Sequence, residues 1–568
     1  MATINVSSSQ NIRDAISGGG SFSVPASGDT ISIAAGTFNI TSTVIPNVPG
    51  PGATGPATFA YAAQPNINSV TGFTGPTHLV FSGAGKEGDA SVTIITGNSR
   101  LYVGNSDGKP PTSLSFSNLD FSYTGAAGYL LQTGVFGNPT SITQSITLNN
   151  LSFRGTHLGA GGSDNPKGNY GALVGFNTLS FTNSSVSLTG QNNFNGTSPV
   201  SNGSSFLMLQ GNSMTIFNNQ FNETGYRNAL SIFDSTSVTL SNNTFTRDTG
   251  SRFVRTDVAP SGTPWLPPIP TPKSNKISKS TGVSVTSNTF ANGSFLALEG
   301  GSGSVTSNTF NGQNVDISGT YGYPGALGIL LETPTSGPIT NPNYSVTNNI
   351  FRFVSPIVNK TTAISTITGA NTFINPANGN SLAIQEFVTG TNASEVVVSS
   401  APATPRSEML SGGLGNDTLN GGTGNPATDL DYFLFDTAPD TTSNSDTIIN
   451  FNSNPGGVNR DRLVLSRAIY RDLITTSTVT GGGNNQIGVL AQATSGNNQI
   501  FNSGSSVSFT TNTQRIALIT SGTQQGELWY DRDGSDGTYS PVRFARIFTD
   551  NGVTGLNTVA GLGNVFVI

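Results

Sequence analysis

Along the first 375 residues, apolar and polar positions follow a short recurring phrase: apolar, two spacers, Asn, one spacer, Phe. It reads Ile216-Asn219-Phe221, Leu240-Asn243-Phe245, Val285-Asn288-Phe290, Val305-Asn308-Phe310 and Val346-Asn349-Phe351. Looser copies run from Phe116 to Phe121, Leu148 to Phe153, Leu188 to Phe194 and Ile367 to Phe373. The tight Phe-to-Phe steps are 24 residues (Phe221 to Phe245), 20 (Phe290 to Phe310) and 22 (Phe351 to Phe373). Steps of 45 (Phe245 to Phe290) and 41 (Phe310 to Phe351) read as one coil plus an insertion. A period of this size marks a solenoid. The repeating residues are short runs of Val, Ile, Leu, Phe and Thr between Asn, Gly and Ser, which predicts strands and turns and shows no helical period.

Such short strands cannot bury their own apolar faces. Stacking coil on coil, about 4.8 Å apart, sets equivalent residues above one another. The Phe residues then form an interior stack, and the Asn amides form a ladder in which each bonds its copy in the next coil. Asn also tolerates the left-handed backbone of a sharp corner. An antiparallel sandwich would explain the strands but not the fixed Asn-x-Phe spacing. The expected class is all-β: a right-handed parallel β-helix solenoid followed by a smaller Gly/Asp-rich, β-roll-like C-terminal domain.

Residues 1–40 are expected to form an N-terminal cap and first coil, with Asn11 to Ile16 as a short amphipathic helix. The phrase from Gly28 to Phe38, GDTISIAAGTF, resembles the first coil of pectate-lyase-like right-handed β-helix proteins. The β-helix is expected over residues 41–400, with Pro/Gly-rich insertions near 46–78 and 258–280. The second carries Pro260, Pro264, Pro267, Pro268, Pro270 and Pro272, so it cannot be a central strand.

From about residue 405 the character changes. Gly412 to Gly424 reads GGLGNDTLNGGTG and matches a calcium nonapeptide, in which Gly permits tight turns and Asp and exposed carbonyls offer hard oxygen ligands. The segment resembles the haemolysin-type calcium-binding (RTX) family. So do the stretches Asp431–Asp436, Asn444–Phe451, Asp461–Leu465 and Leu528–Gly534 and the apolar end Val565–Ile568, so that the likeness covers residues 405–568. It implies bound Ca2+ at Gly413, Gly415, Asp417, Gly422, Gly424 and Asp431. It also implies export through a C-terminal signal, hence an extracellular or cell-surface protein. The family pattern breaks in the second nonapeptide, where Pro426 stands at the aspartate position, so one or at most two ions are expected.

Composition narrows the field. Of 568 residues only 10% are charged, against about 25% in ordinary domains. The 33 regularly placed Phe residues speak for order. A formal charge of −6 without any basic stripe excludes nucleic acid as a partner. No apolar run is long enough to span a membrane. With no cysteine there is no disulfide framework, thiolate metal site or cysteine nucleophile. The start, Met1 to Gln10, lacks the features of a secretory signal peptide, in keeping with a C-terminal export signal.

One pattern suggests catalysis. Aligned on the Phe ladder, Gln210, Asp234 and Glu299 each stand eleven residues before a Phe, and Glu332 ends the equivalent strand. The expectation is one carboxylate column on a single face, of the kind that handles acidic polysaccharides through calcium or as general acid and base. Arg247, Asp248, Arg252, Arg255 and Asp257 add the densest charge cluster, and Arg could pair with sugar carboxylates. The opposing reading is that any exposed solenoid corner shows polar residues at strand ends. His78 and His157, the only histidines, read as structural or surface residues, and Asp531, Asp533 and Asp536 fit a turn as well as a calcium loop. The favoured function is a secreted structural protein: a subunit of a fibre, surface layer or matrix, or an adhesin, with copies of itself as partners. The alternatives are a polysaccharide lyase, hydrolase or epimerase acting on acidic glycans, and a glycan-binding module.

Overall fold

A computed structural model describes residues 2–8, 15, 21, 28–39, 58–61, 78–97, 100–103, 113–126, 131–133, 143–158, 171–190, 205–222, 228–246, 275–312, 327–334, 341–374, 380–398, 407–422, 430–453, 460–466, 469–470, 473, 475–478, 488–490, 499–562 and 565–568. They fall in two compact units. One comprises Met1–Ser251, Lys273–Thr289 and Gly301–Gly303; the other Arg252–Pro272, Phe290–Gly300 and Ser304–Ile568.

The first unit is a parallel β-helix. Ser205 in strand Ser205–Phe217 pairs with Asn228, Ser213 with Ser237, and Gln220 with Thr244, so one turn of chain stacks on the next without antiparallel pairing. Three stretches of each coil are extended because apolar residues alternate inward while Ser, Thr and Asn face out, as in Ser237–Ser241 with Val238 and Leu240 buried. Phe121 stacks on Phe153 at 5.3 Å and Phe221 on Phe245 at 4.8 Å, almost coplanar. Phe245 is fully buried.

The Asn ladder is present from Asn219 onward, with Ser184, Leu151 and Leu119 in its column in the earlier coils. The Asn219 backbone N–H and side-chain Nδ2 both donate to Asn243 Oδ1 at 3.0 Å, and the same pair of bonds joins Asn243 to Asn288 Oδ1 at 2.9 and 3.0 Å. Each amide also donates back to a carbonyl of the neighbouring coil, Phe181 for Asn219 and Ile216 for Asn243. These buried amides therefore meet their donors and acceptors entirely within the stack. The left-handed corner belongs to the residue before each ladder Asn: Asn218 and Asn242 at φ 55° and Ser287 at φ 56°. The expectation that the ladder Asn itself supplies the left-handed backbone is thus corrected. Buried packing and left-handed turning are split between neighbours, because a left-handed side chain points outward.

Two further expectations shift. Val186, not Phe194, continues the Phe column between Phe153 and Phe221, with Phe181 and Ser184 completing that copy; Phe194 lies outside the described residues. Thr58–Tyr61, inside the segment read as a loop, is a strand paired with Arg100–Val103, and the second insertion ends before strand Asn275–Ser278. Of the proposed cap helix only Ala15 is described.

The second unit repeats the pattern. Phe290, Phe310 and Phe351 stack at 4.8 and 5.2 Å, and Asn308, Asn349 and Asn371 form a ladder with contacts of 2.9–3.1 Å. The parallel order is interrupted where Ser365–Ile374 pairs antiparallel with Ser381–Thr389. It then resumes: Glu386 with Glu408, and Glu408 with Asp431. The change of composition near 405 therefore does not end that sheet. The order is interrupted again near the C-terminus, where Gly488–Leu490 pairs antiparallel with Thr475–Thr478 and with Phe566–Val567. A second, seven-stranded sheet starts at Val396–Val398 and passes through Thr418–Asn420 and Asp446–Ile449 to Val542–Ile547. Leu419, Phe433, Ile448, Tyr470 and Phe544 belong to the apolar core between these C-terminal strands.

Candidate functional site

The proposed carboxylate column resolves into separate pieces. Gln210 stands in register with Phe233 and Ser278, not with Asp234. Asp234 sits one residue further on, at a left-handed corner with φ 45°, and Lys279 follows Ser278 at a matching corner with φ 48°. Eleven residues separate Gln210 from its ladder Phe and twelve separate Phe233 from Phe245, so counting back by eleven slips at that corner. Gln210 Nε2 still reaches Asp234 Oδ2, at 3.4 Å.

In the second unit the register holds. Glu299 pairs with Glu332, and Glu332 with Lys360. The third member of this column is a cation, which relieves the repulsion of carboxylates stacked about 4.8 Å apart. Glu299 is buried, 7% exposed, while Lys360 is exposed. Arg247, Asp248, Arg252, Arg255 and Asp257 lie outside the described residues.

In the glycine-rich motif the paired glycines have distinct tasks. A Cβ on Gly412 would stand 2.4 Å from Asp417 Oδ2, and one on Gly421 would stand 2.4 Å from Asp431 Oδ2, so the first Gly of each pair makes room for a carboxylate. The second, Gly413 or Gly422, turns the chain at φ 88° or 85°. Gly415 is also left-handed, at φ 123°, and its N–H donates to Asn444 Oδ1. Gly424 lies outside the described residues.

The two motif aspartates stand in different columns. Asp417 precedes strand Thr418–Asn420 of the seven-stranded sheet; its Oδ1 accepts the Glu395 N–H at 2.8 Å, and its own N–H donates to Asp446 Oδ1 at 3.1 Å. Asp431 pairs with Glu408, and its N–H donates to Asp461 Oδ1 at 3.0 Å. The carboxylates here do what the Asn amides do in the solenoid, accepting a backbone N–H from the adjacent coil. Glu386, Glu408, Asp431 and Asp461 are all at most 2% exposed.

Burial sets the acidity of Asp417, Asp446 and Asp436. It pushes Asp417 up to about 6 and Asp446 up to about 8, with the Asp417 and Asp436 charges adding to the second shift. Asp436 rises to about 6 by burial, against hydrogen bonds from the Ser411 and Ser355 side chains. The Tyr470 hydroxyl is held well above its ordinary range by burial and by the nearby Asp446. Asp417 Oδ2 and Asp436 Oδ2 are buried without a hydrogen-bond partner. The first fits a cation ligand by chemistry, but among the described residues no group of three or more His, Asp or Glu converges as a metal site. Sequence reading missed Asp436, Asp446 and Tyr470, since each is apart from the motif in sequence and joins Asp417 only through sheet pairing. Asp531, also raised to about 6 by burial, uses Oδ1 to accept the Asp533 and Gly534 N–H groups as an ordinary turn does.

One ion pair elsewhere was also unforeseen. Arg154 Nε meets both carboxylate oxygens of buried Asp120 at 2.9 Å, and Asp120 is nonetheless raised, burial outweighing the arginine.

No protein-family model and no curated protein matches the chain. Among solved structures, that of the PL6 family alginate lyase AlyGC is similar over 82% of this chain and 70% of that one, at 11% identity and a TM-score of 0.20. So slight a likeness carries no argument about activity; the parallel β-helix rests on the strand register itself.

Proposed function

We propose that the protein is an extracellular structural solenoid, a subunit that associates with copies of itself in a fibre, surface layer or matrix. The observation that carries this reading is the dispersal of the described charged groups along the Phe-stacked coils. Gln210 and Asp234 are offset at a corner, Glu332 is in register with Lys360, and Asp120 is held by Arg154. General acid–base work needs two groups of separated acidity facing one substrate position, and this dispersal does not favour it. Stacked Phe and Asn, by contrast, are the material of a rigid rod, and a head-to-tail contact between rods propagates instead of closing.

In this reading the C-terminal region carries the export signal, and calcium folds it outside the cell. Asp417, with its buried Oδ2, and the carbonyls of Gly413 and Gly415 would hold the ion, which neutralises carboxylates that burial otherwise protonates. Calcium affinity of about 10⁻⁴–10⁻³ M suits an extracellular module. Electron microscopy in millimolar calcium and in EDTA tests both parts. Fibres or sheets in calcium, and proteolysis confined to residues beyond about 405 in EDTA, are expected. Monodisperse rods under both conditions would remove the assembly reading. A second reading, an enzyme on acidic polysaccharides, would stand if the protein shortened alginate or pectate chains and Asp234→Asn or Glu332→Gln abolished this.

A further inference from the structure

We infer that one face of the first unit is a docking platform for a neutral, hydroxyl-bearing polysaccharide. This rests on the extracellular, non-catalytic reading above and gives it a partner.

The face is built by strands Ser113–Ala126, Thr143–Leu158, Gly171–Thr182, Ser205–Phe217, Ser237–Ser241 and Val283–Thr286. Parallel pairing lines up Ser115, Thr147, Ser180, Thr215, Thr239 and Ser284 as one unbroken column. The flanking column two residues earlier is Ser113, Ser145, Thr178, Ser213 and Ser237, and the one two residues later is Ser117, Asn149, Thr182, Phe217, Ser241 and Thr286. Between the columns the apolar residues point inward, as Leu114, Ile146, Leu179, Met214 and Val238 do. No Asp, Glu, Lys or Arg stands in any of the three columns. Hydroxyls therefore repeat about every 4.8 Å across the strands and roughly every 6.7 Å along them. A side-chain amide row borders the face, with Asn150 donating to Asn118 Oδ1 and Asn218 to Asn183 Oδ1.

Phe217 breaks the hydroxyl pattern. Its neighbours in register are Thr182 and Ser241, and the same strand position is polar in every other coil of the face. It is 38% exposed, while Phe221 and Phe245 close by are 1% and 0%. An outward aromatic ring costs solubility and adds nothing to the core. Its π-face suits the C–H face of a sugar ring, and the surrounding hydroxyls and amides match sugar hydroxyls as both donors and acceptors. The lack of charge fixes the class of partner. Among the described residues the three columns offer an acidic glycan no cation, and Lys86, at the border, spends its ammonium on the Asn183 carbonyl at 2.6 Å, whereas a neutral chain with a regular repeat meets a regular surface.

The test is retention of the full-length protein on microcrystalline cellulose, chitin and insoluble β-glucan, beside alginate gel as the acidic control. Retention on a neutral polymer is expected, unchanged by about 0.5 M salt. Phe217→Ala should lower it by about tenfold or more, and Phe217→Trp should restore it. Thr215→Lys, also exposed, should weaken binding without unfolding the coil. Lack of retention on all neutral polymers would overturn the proposal, as would equal retention by Phe217→Ala. Salt-sensitive retention on alginate alone would overturn it in favour of the acidic-glycan reading, and shaping of ice crystals without glycan retention would assign the face to ordered water. Filaments seen without glycan retention would break this inference and leave the assembly reading intact.

Discussion

The solenoid coils and the C-terminal coils face one problem, the backbone N–H left over at each corner, and meet it with side chains of nearly equal shape and different chemistry. In the solenoid, Asn243 Oδ1 accepts two donors from Asn219, while its own Nδ2 donates onward to Asn288. An amide both gives and takes, so the ladder extends without accumulating charge. In the C-terminal region, Asp417 and Asp446 accept the corner N–H in the same way, but an ionised carboxylate has nothing to donate. Each added rung brings another buried carboxyl, and burial first, then the Asp417 and Asp436 charges, push Asp446 to about 8. A ladder of amides is stable under any conditions that keep the coil folded. A ladder of carboxylates holds only while protons or a cation neutralise it, so the two ladders should respond differently to pH.

The comparison can be attacked first at the aromatic stack both regions depend on. Phe245→Ala should cost about 3–5 kcal/mol in chemical denaturation, whereas Phe217→Ala, on the outer face, should stay within about 0.5 kcal/mol. Equal effects would undo the inside–outside assignment of these coils.

Next comes the amide ladder. Asn243→Leu copies the residue that earlier coils place in this column, Leu119 and Leu151. It would nevertheless strand two Asn219 donors, and a loss of roughly 2–4 kcal/mol, independent of pH between 5 and 8, is expected. A neutral outcome would mean that the ladder is decoration on the Phe stack.

The smallest effect should be the pH dependence of the C-terminal region. The folded-state acidity of Asp436, about 6, lies above its ordinary value of 3.8. The folded form thus binds the proton more tightly, so this contribution is fully present below about pH 4 and is lost as pH rises through 6. In EDTA the region should be more protease-resistant at pH 5 than at pH 8. Asp436→Asn, which keeps the acceptor for Ser411, should stabilise it at pH 8 by on the order of 2 kcal/mol and do nothing at pH 4. A profile that Asp436→Asn leaves unchanged would place the titration elsewhere.

Much of this architecture is written locally. The Asn-x-Phe phrase marks buried corners because both residues of a rung recur at a fixed offset within one coil, and Gly412-Gly413 is legible as a turn for the same reason. The candidate site was less legible. Counting back from Phe245 placed Asp234 in the column of Gln210, yet one extra corner residue moved it to a left-handed turn. Asp446 shares an Asp-Thr-apolar phrase with Asp417, in Asp446-Thr447-Ile448 and Asp417-Thr418-Leu419, but Asp436 and Tyr470 share none, so only the fold joins them to the motif.

By itself the sequence determined the repeat, the inward alternation of apolar residues and the identity of each ladder, because these follow from side-chain chemistry over a few neighbouring positions. Tertiary structure alone decided which residues stand beside one another across coils. That placed Lys360 after Glu332, gathered hydroxyls from six strands onto one uncharged face around Phe217, and buried Asp446 next to Asp417. The reason is geometric: loops of unequal length separate the coils, so lateral neighbours are set by backbone pairing and not by distance along the chain.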